Sequence, residues 1–281
     1  MKGSVAQFVF GIITSVLAAM AAAGCGPLGG GGPLLGEWTE GERERAWFSA
    51  TASAGCMFGC ALDRPLAVGV HESIAVDFGA PEEVDFASSD PTVLRVLEAH
   101  PLGPDDDRDL SSWRVTVQAL RVGSARLIVQ RAGRTFDTVV LRVAEPASLR
   151  IADEAGKIVD EHVPFEVATD LGRSLQAVVR DASGRHLLAA DVVDWSLSDD
   201  RTALFRLPPF VDLIAGLIAI GTGGTPGERP GFSEWRGSDA AHLEGRAEGT
   251  TFVTARVGSL RARALVRVLP AGSPIEGVER P

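Results

Sequence analysis

The sequence predicts an all-β protein made of two tandem β-sandwiches. Short segments alternate apolar and polar residues, as in Ile74, Val76 and Phe78 or Val115, Val117 and Ala119, with turns about every eight to twelve residues. The 32 glycines and 16 prolines suit a turn-rich β chain better than a helical bundle. Finally, Val84-Asp85-Phe86-Ala87-Ser88-Ser89-Asp90 recurs as Val193-Asp194-Trp195-Ser196-Leu197-Ser198-Asp199, an aromatic on a short strand followed by a Ser/Asp turn.

The 281 residues have room for one large domain or two ordinary ones, and 45% hydrophobic residues suffice for packed cores. A net charge of −10 repels phosphate backbones, so a nucleic-acid partner is not expected.

Residues 1–24 are an address. Lys2 starts them, Val5 to Met20 is apolar apart from small and hydroxyl residues, and the run closes on Ala21-Ala22-Ala23-Gly24 before Cys25. Small residues followed at once by a cysteine resemble the lipobox of bacterial lipoproteins, with Ala22 where Leu is usual. That resemblance implies cleavage before Cys25 and its acylation. An ordinary secretory signal and an uncleaved anchor are the alternatives. Several acyl chains on one residue give stable membrane attachment. By resemblance to lipoprotein sorting, Gly26 rather than Asp implies the outer membrane. Residues 25–45, with Gly29 to Gly32 between Pro27 and Pro33, read as a flexible tether.

Cys56 and Cys60 then form an even pair in a compartment that permits disulfides. A small disulfide-closed loop is the reading, shaping the chain locally rather than stabilising it strongly. Two free thiols are the alternative; a metal site would need more ligands than lie nearby in sequence.

Residues 46–145 read as the first sandwich and 146–270 as the second, with 271–281 a C-terminal tail. Val122-Gly123-Ser124-Ala125 corresponds to Glu248-Gly249-Thr250-Thr251, and each leads into an alternating strand, a small-residue turn and a last strand ending Leu141-Arg142-Val143 or Val266-Arg267-Val268. Repetition at this length means one domain used twice. Both halves resemble bacterial immunoglobulin-like domains of group 2, whose pattern runs "VxWxSSDxxVAxV" and then "GxVTAxxxGTAxITA". Val84–Val96 and Ala119–Val129 match it in the first half, Asp194–Phe205 and Gly245–Ala255 in the second. The resemblance implies an immunoglobulin-like sandwich with no shared active site.

The second copy carries an insertion at about 207–238. Pro208-Pro209 suits a helix start, and Phe210, Leu213, Ile214, Leu217 and Ile218 follow at helical spacing. Such a helix spans roughly 16 Å, too short to cross a bilayer. Thr222 to Gly237 reads as a Gly/Pro-rich loop. The apolar stripe either caps an open edge of the second sandwich or docks a partner.

Little else suggests chemistry. Asp105, Asp107 and Asp109 alternate, but Leu110 and Thr116 stand where a calcium loop needs Gly and a carboxylate, so a solvated acidic loop is expected. The five histidines are scattered singly, with no zinc, nucleophile-elbow or phosphate-loop motif. Phe86 and Trp195 are expected in the cores. No enzyme activity, cofactor or metal is expected. The reading is a non-enzymatic, lipid-anchored cell-envelope protein, presenting immunoglobulin-like domains to a protein or carbohydrate for adhesion or scaffolding. The alternative is a periplasmic accessory subunit that docks an envelope complex through residues 208–238.

Overall fold

A computed structural model of the chain describes residues 38–51, 62–79, 83–102, 112–169, 171–206, 232–236 and 238–275. The signal segment, Cys25, Cys56, Cys60, the Asp105–Asp109 run and the stripe Phe210, Leu213, Ile214, Leu217 and Ile218 lie outside them.

The first sandwich stacks two sheets. One holds, in order, β1 (Thr39–Glu40), β2 (Trp47–Ala50), β4 (His71–Asp77), β7 (Ser112–Ala119) and β6 (Leu94–Pro101). The other holds β3 (Leu66–Ala67), β9 (Arg134–Ala144), β8 (Gly123–Arg131) and β5 (Asp85–Ser88). After β9 the chain starts again. One sheet of the second sandwich runs β11 (Ile158–Val159), β10 (Ser148–Asp153), β13 (Gly172–Arg180), β17 (Ala240–Gly245), β15 (Ala203–Arg206). Its facing sheet runs β12 (Phe165–Ala168), β19 (Leu260–Leu269), β18 (Gly249–Val257), β14 (Asp194–Leu197), β16 (Glu234–Arg236).

This layout is immunoglobulin-like. Constant-type domains place the first, second, fifth and fourth strands in one sheet and the third, sixth and seventh in the other. Strands β2, β4, β7, β6 and β5, β8, β9 occupy those places; so do β10, β13, β17, β15 and β14, β18, β19. In each copy a short extra strand, β3 or β12, runs parallel to the last one.

The alternation read from sequence fills the cores. Val115, Val117 and Ala119 face Ala125, Leu127 and Val129 across the first, while Trp195, Val253, Ala255, Val266 and Val268 fill the second. Trp195 is buried as expected. Phe86 is only half-buried, because β5 lies at the end of its sheet, where the ring packs 5.6 Å from Trp113.

Three expectations are corrected. The tether does not extend to residue 45: Thr39 and Glu40 pair with β2, and the turn after them is held by Asp137. That carboxylate is fully buried on β9 and accepts the N–H groups of Arg43, Arg45, Ala46 and Thr138 at 2.7–2.8 Å. A Cβ on Gly41 would collide with it. The Gly/Pro-rich loop read over Thr222–Gly237 contains a strand, β16, whose register pairs Asp194 with Arg236 and Ser196 with Glu234. The C-terminal tail begins with structure, since Ile275 is buried.

Candidate functional site

The two motif copies turn out to be built alike. In the first, the Asp90 carboxylate accepts the N–H of Thr92 at 2.9 Å and its hydroxyl at 2.6 Å. In the second, Asp199 accepts the N–H of Arg201 at 3.0 Å and the Thr202 hydroxyl at 2.7 Å. Both carboxyls sit below the usual carboxylate range, held there first by the threonine hydroxyl. The glycines of the echo meet these turns. Gly123 (φ 155°) and Gly249 (φ 153°) adopt a backbone that side chains disfavour, and a Cβ on Gly123 would lie 3.1 Å from Val93. These Ser/Asp signatures are turn devices, and their carboxylates are already engaged.

The second motif has an added task. Strand β15 ends at Arg206 and the chain returns at Phe232, where Phe205 and Phe232 exchange N–H···O=C bonds of 2.9 and 3.0 Å. From there the chain moves to the other sheet: the Leu197 N–H reaches the Ser233 carbonyl at 3.0 Å, and β16 lies along β14. The Trp195 indole N–H donates to the Ser238 carbonyl at 2.9 Å. The described end of the insertion therefore bridges the two sheets along one side of the second sandwich and covers the β14 edge. Sequence reading placed the insertion and offered edge capping for its apolar stripe, but read as loop the residues of β16 that cover the β14 edge; Trp195 for Phe86, the residue whose ring can donate, was their one trace.

A second constellation joins the sandwiches. The turn after β13 is organised by Asp181, which accepts the Ser183 hydroxyl at 2.7 Å and bonds the Arg185 N–H and side chain. Led by the Ser183 bond, these partners lower its carboxyl to about 2. The turn launches residues 186–189 along the first domain. Leu188 donates to the Pro65 carbonyl and accepts from Ala67, both at 2.9 Å, as Leu66 and Leu188 form a parallel bridge. The Leu187 N–H meanwhile bonds Val179 of β13 at 2.9 Å. A hydrogen-bond ladder thus runs from β9 through β3 and this segment into β13.

Packing follows the same exchange. Leu188, 2% exposed, belongs to the first core, Ala67 belongs to the second, and Val192 touches both. Beside them Asp191 takes the His71 N–H at 2.8 Å and pairs with its Nδ1 at 2.5 Å. His186 is held below the usual histidine range, first by burial and then by Arg180 and by Arg64 of the first domain. None of the other described histidines meets a set of groups suited to catalysis: His100 pairs with Glu98 and His242 contacts Ser174 on exposed strand faces. Among the described residues there is no group of three or more His, Cys, Asp or Glu that could hold a metal ion. No described helix is long and apolar enough to cross a membrane.

No protein-family model matches the chain. No curated protein matches it either. Among solved structures it is similar to domains 4 and 5 of the S-layer protein SbsC, at 18% identity over 66% of this chain and 76% of that one, TM-score 0.27. It is also similar to the Escherichia coli adhesin FdeC, at 12% identity over 84% and 66% with TM-score 0.29. Yersinia pseudotuberculosis InvD matches at 12% over 77% and 58%, again with TM-score 0.29. Likenesses at this level carry no information on ligand or role.

Proposed function

We propose that the protein is a non-enzymatic, lipid-anchored arm of the bacterial cell envelope, attached through Cys25 and presenting two immunoglobulin-like domains for adhesion or scaffolding. The observation that carries this reading is the shared ladder and core at Leu188, which couples the sandwiches as one body. A presenting arm needs such stiffness, because a free joint would squander positional information on conformational entropy. The charged side chains best placed for chemistry instead hold backbone: Asp137, Asp181, Asp90 and Asp199 each close a turn. Group 2 membership, a Cys56–Cys60 disulfide and an outer-membrane address belong to the same proposal and rest on the sequence. Substituting Cys25 by Ser is expected to move the protein from membrane to soluble fractions. Retention in washed membranes would overturn the anchor.

A second reading is favoured by the insertion's root. Its reciprocal Phe205–Phe232 bonds and the Trp195–Ser238 bond fix both ends of a segment whose Phe210, Leu213, Ile214, Leu217 and Ile218 repeat at helical spacing. In this reading, those apolar residues dock an envelope complex. Replacing residues 208–230 by a short turn keeps β16 in place and removes the stripe. Crosslinking on intact cells should then lose its partner; an unchanged crosslinking pattern refutes docking through this segment.

A further inference from the structure

The two copies differ at one edge. In the second sandwich β14 is covered by β16, whereas among the described residues nothing lies along the equivalent strand β5. The edge is formed for pairing. The Ser89 N–H bonds the Arg126 carbonyl at 2.9 Å, so by antiparallel alternation the main-chain groups of Phe86 and Ser88 point away from β8. Leu197, which matches Ser88, uses its outward N–H to bond Ser233. Of the two ends of the facing sheet, β1 is only two residues long and β6 is guarded by a bulge at Val96/Glu98, by charges and by Pro101. Strand β5 has neither bulge nor proline, and its one charge is the exposed Asp85.

A second observation lies beside it. The Trp113 indole packs on Phe86, and its Nε1 is buried with no hydrogen-bond partner. In the second copy the corresponding end of the core holds Trp195, whose indole is satisfied by the Ser238 carbonyl, just beyond β16.

We infer that β5 is a strand-addition site for an extended segment of a partner polypeptide, which pairs antiparallel with Asp85–Ser88 and places a basic residue opposite Asp85. The resident strand of the second copy supplies this chemistry: Asp194 matches Asp85, faces Arg236 in register and pairs with its guanidinium at 3.5 Å. Main-chain bonds would supply affinity and the cross-strand charge pair register. The chain's own connection from β6 to β7 is a poor occupant, because its four aspartates, Asp105, Asp106, Asp107 and Asp109, outnumber Arg108 and would bring like net charge to Asp85. The site stands on geometry alone, and its failure would leave the anchored-arm reading to be decided by fractionation.

The test titrates purified full chain into a labelled peptide of sequence GFSEWRGS, the chain's own 231–238, and into its charge-reversed form GFSEWEGS, read by fluorescence anisotropy. Hydrogen exchange maps the site. The first peptide should bind saturably and protect residues 84–89. S88P removes an outward N–H while sparing the β8 ladder, and should weaken binding by about tenfold. D85K, an exposed change, should reverse the preference between the two peptides. The inference is overturned by absence of saturable binding, by equal affinities in S88P and D85K, or by protection confined to residues 194–197, which would mark exchange with β16. A concentration-dependent dimer that S88P abolishes would also overturn it, since the occupant would then be a second copy.

Discussion

Replacing Leu188 by Ala should uncouple the two sandwiches. The side chain is 2% exposed and sits in the core of the domain to which it does not belong in sequence. Leu-to-Ala changes in cores cost about 2–5 kcal/mol. Here the two main-chain bonds to Pro65 and Ala67 survive, so about 2–3 kcal/mol is expected. That loss falls on the docking of the second domain against the first. At about 4–8 °C per kcal/mol for a domain of this size, the first sandwich should melt roughly 8–24 °C below the second. Calorimetry on the full chain should therefore show one coupled transition for the parent and two for Leu188→Ala. Asp191→Ala makes a graded control. Its pair with His71 is partly exposed, so loss of that pair and of the His71 N–H bond should cost no more than about 1–2 kcal/mol. A single transition in Leu188→Ala would refute the coupling assigned to this side chain.

Other perturbations test the remaining devices. Asp137→Ala orphans four N–H groups, those of Ala46 and Thr138 fully buried, and should cost about 3–5 kcal/mol as a lower urea midpoint at constant m; a loss below about 1 kcal/mol would contradict the clamp. Asp181, Asp90 and Asp199 have depressed carboxyls, so their contribution to stability is complete above the ordinary aspartate value and is lost as pH falls through the folded values, near 2 for Asp181. Melting temperature should thus decline below pH 4, and Ser183→Ala, which removes the leading cause at Asp181, should shallow that decline; an identical profile would count against it. His186 is kept neutral, so stability should also slip as pH drops below about 6.5, and His186→Gln should flatten that interval. Trp195→Phe removes the bond to Ser238 at about 1 kcal/mol and should speed hydrogen exchange in residues 232–238 ahead of the rest of the second core.

Much of this architecture is determined by local pattern. A two-residue period decides which side chains face inward in any strand, so Val115, Leu127, Val253 and Val266 identify themselves as core residues without reference to their neighbours. Repetition of the Ser/Asp turn and the following glycine shows that one fold is used twice, because each device acts over a few residues. Residues whose meaning lies in long-range pairing were illegible. Asp137 looks like an ordinary polar residue on β9, and only the return of a segment more than 90 residues away gives it three of its four donors. Glu234-Trp235-Arg236 is too short and too close to Gly and Pro to announce a strand; β14 makes it one by offering an open edge.

The sequence by itself thus determined the all-β class, the doubling of the domain, most of the two cores and the place of the insertion, since all of these follow from periodicity and turn chemistry. Tertiary structure alone decided that Leu188 crosses into the first core and Ala67 into the second, and that one sandwich has its edge strand covered while the other leaves β5 bare. Apolarity says that a side chain will be buried; docking decides in which core.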